Sequence, residues 1–270
     1  SPLHLHAACY GDQTQASTPL TFSPVPQLPV PTMFAHWAPV LEAVGKHSRQ
    51  CFDLVIKPTI PDFEKYLLKG SPDIAYVNPY HAVMAYKAKQ YQPFFADGSS
   101  LLTGILVAKN EGPIKQLSDL QGQRVDFPAP NAFAASLLLR AHLAQLNIRI
   151  RPNYVKTHSN VYRSVIGKDA VAGGGVNNTL DNEAPEVRQQ LRVLFETPAY
   201  TPHPIVTHPS VPAAVRERFL QAMLKLTQDD AGRKLLDGIN LQKPQAVTYA
   251  KHYKPLEKLQ LEKFLVLSGQ

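Results

Sequence analysis

The sequence predicts an α/β protein of two lobes, each a mixed, mainly parallel sheet flanked by helices, with two crossover strands joining them. Three observations predict it. Strand-like and helix-like apolar periodicities alternate from Leu20 to Lys89, and the alternation restarts at Gly104. With 270 residues, 44% of them hydrophobic and 18% charged, the chain supplies a core for one large domain or two lobes and is not a disordered polymer.

Residues 1–17 read as an irregular polar arm. Leu20-Thr21-Phe22-Ser23-Pro24-Val25 alternates as a strand, and after the proline-studded loop Pro26 to Pro31 the residues Met33, Trp37, Val40, Leu41 and Val44 recur at helical spacing. Pro39 is expected to kink that helix or delay its start to near Trp37, and Gly45 to stop it. A strand over Phe52 to Ile56, a helix over Pro61 to Leu68 ended by Gly70, a strand over Asp73 to Val77 and a helix over Pro79 to Lys89 complete a βαβαβα run.

The restart has strands at Gly104–Lys109 and Arg124–Phe127, with a one-turn helix at Leu117–Gly122 between them. Asn131 is expected to cap a long helix through Leu146. A strand from Arg151 to Lys156, a helix from His158 to Ile166, a strand from Ala170 to Gly174 with a short helix after it, and a strand from Leu191 to Phe195 follow. Helices are expected over 210–226 with Ser210 as cap, and over 229–237, 244–253 and 255–266. The first lobe therefore comprises residues 18–103 and 204–270, the second 104–203, with the chain crossing near 103 and 203.

Composition removes several functions. The net charge of +7 favours anionic partners, but the bases are scattered without aromatic interleaving, so no nucleic-acid partner is expected. No run of 18 apolar residues exists to span a membrane, and no solenoid-length repeat is present. His4, His6 and Cys9 are three soft ligands without a fourth, and neither a metal nor a cofactor is expected. Cys9 and Cys51 leave two readings open: two free thiols, or a bridge contributing roughly 3 to 4.7 kcal/mol in an exported protein. The chain begins at Ser1, which fits removal of a signal peptide or a trimmed start; Leu5-His6-Ala7-Ala8-Cys9 weakly matches a lipoprotein cleavage box and so a membrane anchor, with a histidine that suits the box poorly.

Five segments in order resemble one family. They are Asp73-Ile74-Ala75-Tyr76-Val77-Asn78-Pro79-Tyr80; Leu117-Ser118-Asp119-Leu120-Gln121-Gly122-Gln123-Arg124-Val125; Asp126-Phe127-Pro128-Ala129-Pro130-Asn131-Ala132-Phe133-Ala134-Ala135-Ser136; Thr157-His158-Ser159-Asn160 with Asp169-Ala170-Val171-Ala172; and Pro202-His203-Pro204-Ile205-Val206. Across roughly residues 19–230 the chain resembles the periplasmic solute-binding proteins of the phosphate/phosphite/phosphonate ABC-transporter family. The resemblance implies a two-lobed, type II periplasmic-binding-protein-like fold that closes on one ligand in the interlobe cleft and delivers it to a membrane permease.

In that family a tyrosine after the third strand, hydroxyls and amides opening the long helix of the second lobe, and a histidine opening the next helix hold an oxyanion, with acidic residues gripping an amine. The resemblance puts Tyr76 or Tyr80 in the tyrosine role and His158 in the histidine role. Ala132-Phe133-Ala134 stands in place of the hydroxyls, and Val176 and His203 in place of the acids. The helix N-terminus can still bind an anion through its free amides, while a ligand carrying an ammonium group is disfavoured. The candidate ligand contacts are Tyr76, Asn78, Tyr80, Asn131, Ala132, Phe133, Ala134, His158, Ser159 and His203.

Each has a bland counterpart. Tyr76, Asn78 and Tyr80 sit at a strand's carboxyl end but suit a core equally, Asn131 suits a plain cap, and Trp37 suits core or cleft. Gly173-Gly174-Gly175 could admit close approach of a ligand to backbone and lacks any nucleotide-loop pattern. With no HExxH, GxSxG or P-loop, and with Ser136 inside a helix, no enzyme is expected; a hydrolase built on a spatial triad is the contrasting class. The reading is an exported monomeric binding protein, with signalling to a membrane sensor kinase as the alternative output.

Overall fold

The structure is a computed structural model and describes residues 8–266. These fall into two compact units, one running to Ser100 and resuming over Pro202–Leu256, the other Leu101–Thr201 with the segment from Glu257.

The first unit contains β1 (Tyr10–Gly11), β2 (Leu20–Pro24), α1 (Val30–Ser48), β3 (Cys51–Leu54), α2 (Ile60–Leu68), β4 (Ile74–Tyr76), α3 (Pro79–Lys89) and β5 (Gln92–Asp97). The second contains β6 (Gly104–Lys109), β7 (Arg124–Phe127), a π-helical turn at Phe133–Leu137 that runs into α4 (Leu138–Gln145), β8 (Arg151–Tyr154), α5 (His158–Ile166), β9 (Ala172–Val176), α6 (Asn177–Asp181), α7 (Pro185–Arg188) and β10 (Leu191–Glu196). The chain then returns to the first unit as β11 (Pro204–Thr207), α8 (Ala213–Leu226), α9 (Asp230–Gly238) and β12 (Pro244–Ala246).

Among the described residues the first sheet has the order β1-β3-β2-β4-β11-β5-β12 and the second β10-β6-β9-β7-β8. Both sheets are mixed, but parallel pairing is scarcer than the alternation suggests. Among the described residues only β2–β3, β2–β4, β7–β8 and β7–β9 are parallel. The physical reason is the returning strand: β11 inserts between β4 and β5 antiparallel to both, with Ile205 opposite Tyr76 and Phe95.

Phe22, Phe52, Phe95 and Phe219 pack around one another in the first core, with ring centroids 5.5–6.2 Å from that of Phe219. In the second unit β6 alternates across its sheet. Leu106 and Ala108 join Leu120, Val125, Phe127, Leu139 and Leu143 on one face, and Ile105 and Val107 join Val161, Tyr162 and Val165 on the other. Each large side chain so buried stabilises by about 1.5–3 kcal/mol.

Several expectations are corrected. Helix α1 runs unbroken through Pro39, because that residue and Ala35, whose carbonyl loses its bond, both lie on the exposed side. Gly45 does not stop α1. It sits inside, where a Cβ would come within 2.6 Å of the Gly11 Cα as β1 passes, and the helix ends with Arg49 left-handed (φ 58°). Asn131 does not cap the long helix. Ala132 holds that position, and the Asn131 side chain instead donates to the Val266 carbonyl (2.7 Å) and accepts from the Val266 amide (2.8 Å). Ser210 is not a cap either. Pro212 keeps Val211 out of helical geometry and α8 starts at Ala213.

Residues 244–253 divide into β12 and a π-turn at Tyr249–Tyr253, and the C-terminal stretch forms 3₁₀ turns at Lys254–Leu259 and Leu261–Phe264. From Glu257 that stretch groups with the second unit rather than the first, because Leu261 is buried (1% exposed), Arg140 holds the Phe264 carbonyl and Asn131 holds Val266. Cys9 and Cys51 are disulfide-bonded, their Cα atoms 5.5 Å apart, which ties the arm before β2 to β3. On the chain-entropy account a loop of this length stabilises by about 4 kcal/mol. No described helix is long and apolar enough to cross a membrane.

Candidate functional site

In the first unit, β4 delivers Tyr76 to its carboxyl end, where open α/β sheets present ligands. The Tyr76 ring lies 5.2 Å from Trp37 and 5.5 Å from His203, and Trp37 lies 4.9 Å from Phe22, so an aromatic row leads out of the core. Register explains the pairing with His203: β11 begins one residue later and sets Ile205 opposite Tyr76. The Gln27 amide nitrogen is 3.2 Å from His203 Nε2; with the amide donating, that ring nitrogen accepts. Burial, and then the Asp97 carboxylate, push the Tyr76 phenol far above the usual range, so it stays an O–H donor.

Asn78 and Tyr80 lie beside this row but are part of α3's first turns. Asn78 Oδ1 accepts from the His81 backbone amide (2.8 Å), the Asn78 backbone amide donates to His81 Nδ1 (3.3 Å), and His81 Nε2 lies 3.1 Å from Glu64 Oε2, all of it buried. Asn78 thus serves as a helix cap. Tyr80 is 1% exposed.

In the second unit, the candidate groups gather where β7 and β9 end. The loop after Phe127 leads into the helix that starts after Ala132, whose first amides have no intrahelical acceptor. Phe133 and Ala134 are both 2% exposed, and the Phe133 ring packs edge-on against Tyr200 at 5.4 Å. The glycines of β9 explain how close this helix comes. A Cβ on Gly174 would meet the Ala135 carbonyl at 2.1 Å, and one on Gly175 the Tyr162 hydroxyl at 2.1 Å. Residues of two helices, Ala135 near the start of one and Tyr162 in the middle of α5, therefore bear on consecutive residues of β9, and the glycine triplet serves helix packing rather than ligand approach.

His158 opens α5 behind its cap Thr157, whose hydroxyl accepts from the Asn160 amide at 3.0 Å. Its Nδ1 lies 3.1 Å from Thr179 Oγ1, which in turn lies 2.7 Å from the Tyr162 hydroxyl and 2.9 Å from the Val176 carbonyl. Desolvation lowers the imidazole pKa to about 4, so the ring is neutral at pH 7. Its Nε2 makes no hydrogen bond to the described residues. The threonine hydroxyl has one proton and two acceptors within reach: given to Nδ1 it leaves Nε2–H as a donor, and given to the Val176 carbonyl it makes Nδ1–H the donor and Nε2 an acceptor. Ser159, by contrast, spends its hydroxyl on Glu183 Oε1 at 2.5 Å. Val176 closes β9 and is buried, with an apolar side chain where an acid would grip an amine.

Sequence reasoning missed Thr179 and Tyr162, which orient His158, and Gln27, which holds His203. The signal for Thr179 was its place three residues after the strand-ending Val176, where a hydroxyl turns back onto backbone. Among the described residues no group of three or more His, Cys, Asp and Glu could hold a metal; His4 and His6 lie outside the described residues.

The profile of the periplasmic substrate-binding proteins of phosphonate ABC transporters matches residues 22–253. Among solved structures, a binding-protein component of a phosphonate ABC transporter from Pseudomonas aeruginosa superimposes with a TM-score of 0.78 at 16% identity, over 89% of this chain and 85% of that one. The PhnD1 protein of Prochlorococcus marinus in complex with methylphosphonate gives 0.77 at 14% identity, over 89% and 96%. The glutamate-bound GluR0 ligand-binding core of Nostoc punctiforme gives 0.55 at 14% identity, over 81% and 98%. These structural likenesses establish a periplasmic-binding-protein-like fold of type II. No curated protein sequence matches the chain.

Proposed function

We propose, given that this chain belongs to the periplasmic phosphonate substrate-binding proteins of ABC transporters, that its own ligand is a small phosphonate-type oxyanion without an amine. The chain is a solute-binding protein whose family serves a membrane permease. Each unit offers candidate ligand contacts of its own, the Tyr76–His203 row in the first and the helix start at Ala132 with His158 in the second, and the occupied protein is the form the permease receives. Differential affinity for that form is what shifts the population on binding.

The observation that carries this reading is His158, a half-buried neutral imidazole with one nitrogen anchored on Thr179 and the other without a partner among the described residues. In its Nε2–H tautomer such a group stabilises an oxyanion by a directed N–H. The missing hydroxyls at Ala132-Phe133-Ala134 and the apolar Val176 fit a compact ligand that carries methyl or hydrogen rather than an aminoalkyl arm. The protein shares its fold with the methylphosphonate-bound neighbour, which supports that class of ligand.

The test is a thermal-shift panel of phosphate, phosphite, methylphosphonate, 2-aminoethylphosphonate and sulfate. A ligand at a hundredfold excess over Kd adds ~2.7 kcal/mol, roughly 5–10 °C for units of this size. We expect methylphosphonate or phosphite to raise the melt and the aminoalkyl compound to leave it flat. His158→Ala is expected to weaken the active ligand by ~1.5–3 kcal/mol, the range for a hydrogen bond to a charged group. Flat melts throughout, or full affinity in His158→Ala, would remove this reading.

A further inference from the structure

The helix that opens at Ala132 carries an unusual passenger. Arg140 leans back along it toward the N-terminus, as helical side chains do. Its Nε donates to Ser136 Oγ (3.0 Å), one turn back, and one Nη2 reaches both the Pro130 carbonyl (2.5 Å), ahead of the first turn, and the Phe264 carbonyl (2.8 Å). The guanidinium carbon lies 5.9 Å from the Tyr154 ring centroid. Among the described residues it has no carboxylate within ion-pair distance, unlike Arg124 and Arg233, which pair with Asp126 and Asp230.

A partly buried, unneutralised cation beside the first turn of a helix is electrostatically adverse, because the free amides there already bring roughly half a positive charge. Neutral carbonyls hold the guanidinium in place without cancelling its charge. Adverse local electrostatics of this kind is expected where a ligand relieves it. We propose that Arg140 is a positioning and specificity residue for the oxyanion: it ties the Pro130 loop and the C-terminal strap to the helix, and its charge makes that helix start select ligands of higher negative charge. This rests on the oxyanion reading above. Arg140 does so without contacting the ligand.

The experiment compares wild type, Arg140→Gln, Arg140→Lys and Ser136→Ala by calorimetric titration with methylphosphonate and inorganic phosphate at two ionic strengths, alongside melts without ligand. Loss of the charge is expected to weaken binding on the order of tenfold and to flatten its salt dependence. Arg140→Lys, which keeps the charge, is expected to stay within about threefold of wild type. Ser136→Ala removes a bond to the guanidinium and one to the Pro130 carbonyl (3.0 Å) but no charge, and is expected to lose less affinity than Arg140→Gln and to keep the wild-type salt dependence.

Wild-type affinity in Arg140→Gln would overturn the proposal, as would equal losses in the Gln and Lys variants, since packing alone would then explain the residue. Should Arg140→Gln fail to fold, a loss beyond tenfold in a folded Arg140→Lys overturns it equally. If wild type binds neither probe, the oxyanion reading itself falls, a result distinct from wild-type binding that Arg140→Gln merely copies.

Discussion

His158 shows how one side chain couples ligand recognition to proton balance. Its pKa lies near 4 in the folded protein against about 6.5 in an unfolded chain. Above pH 6.5 both states hold the ring neutral and it contributes no pH dependence. As pH falls through 6.5 the unfolded chain takes up a proton that the folded protein refuses, so stability is lost progressively down to about pH 4. The expected outcome is a melting temperature that drops between pH 6.5 and 4, with a shallower slope in His158→Gln, which cannot protonate. Differential scanning calorimetry at constant ionic strength measures it, and identical slopes in the two proteins would mean that other groups govern the acid limb.

At the scale of elements, strand β9 sets the geometry of the second unit's site. Because its glycines let the Ala132 helix and α5 press onto one strand, Gly174→Ala must displace the helix start, since its Cβ would sit 2.1 Å from a backbone oxygen. Overpacking of this kind costs ~1–3 kcal/mol. We expect Gly174→Ala to melt several degrees lower and bind ligand more weakly, whereas Gly238→Ala, whose nearest neighbour is a His36 ring atom at 3.9 Å, should leave both unchanged. Equal behaviour of the two variants in melts would refute the steric account.

Elements also show what was legible in the chain. Segments with strong periodicity, such as α1 and β6, could be read directly, since a buried stripe or a doubly buried run leaves a mark in composition. Short strands set by their neighbours left none. β1 and β12 are two and three residues long and exist because β3 and β5 offer them edges, while β5 opens with Gln92-Pro93, a poor strand signature. The cap at Asn131 failed for a related reason: its partner is Val266, 135 residues away, and no local pattern carries that contact. Tyr76 and His158 could be named from motif order, but Thr179 and Arg140 act through other residues, and only tertiary placement brings them into play.

For the whole molecule, the chain's path matters more than any one contact. It passes from the first unit to the second after Ser100, returns at Pro202, and after Leu256 goes to the second unit once more. This last passage is a strap held by the buried Leu261, the Arg140 bond to Phe264 and the paired Asn131–Val266 bonds. Burying Leu261 stabilises by ~1.5–3 kcal/mol and each of the three hydrogen bonds by ~1 kcal/mol, so the strap contributes on the order of 5 kcal/mol, nearly all of it to the second unit. Ending the chain at Leu256 is therefore expected to lower the melting of the second unit by 10 °C or more, taking about 4–8 °C per kcal/mol for about 100 residues and some relaxation of the exposed face. The first unit keeps its sheet, its disulfide and α8, and should melt near its former temperature, so that calorimetry resolves two transitions in the truncated protein. Near-native melting of the second unit after truncation would show that the strap merely lies on it. The same truncation frees the Pro130 loop and Arg140 from the strap, so a fall in oxyanion affinity with an intact first unit would connect the strap to the ligand end of the helix.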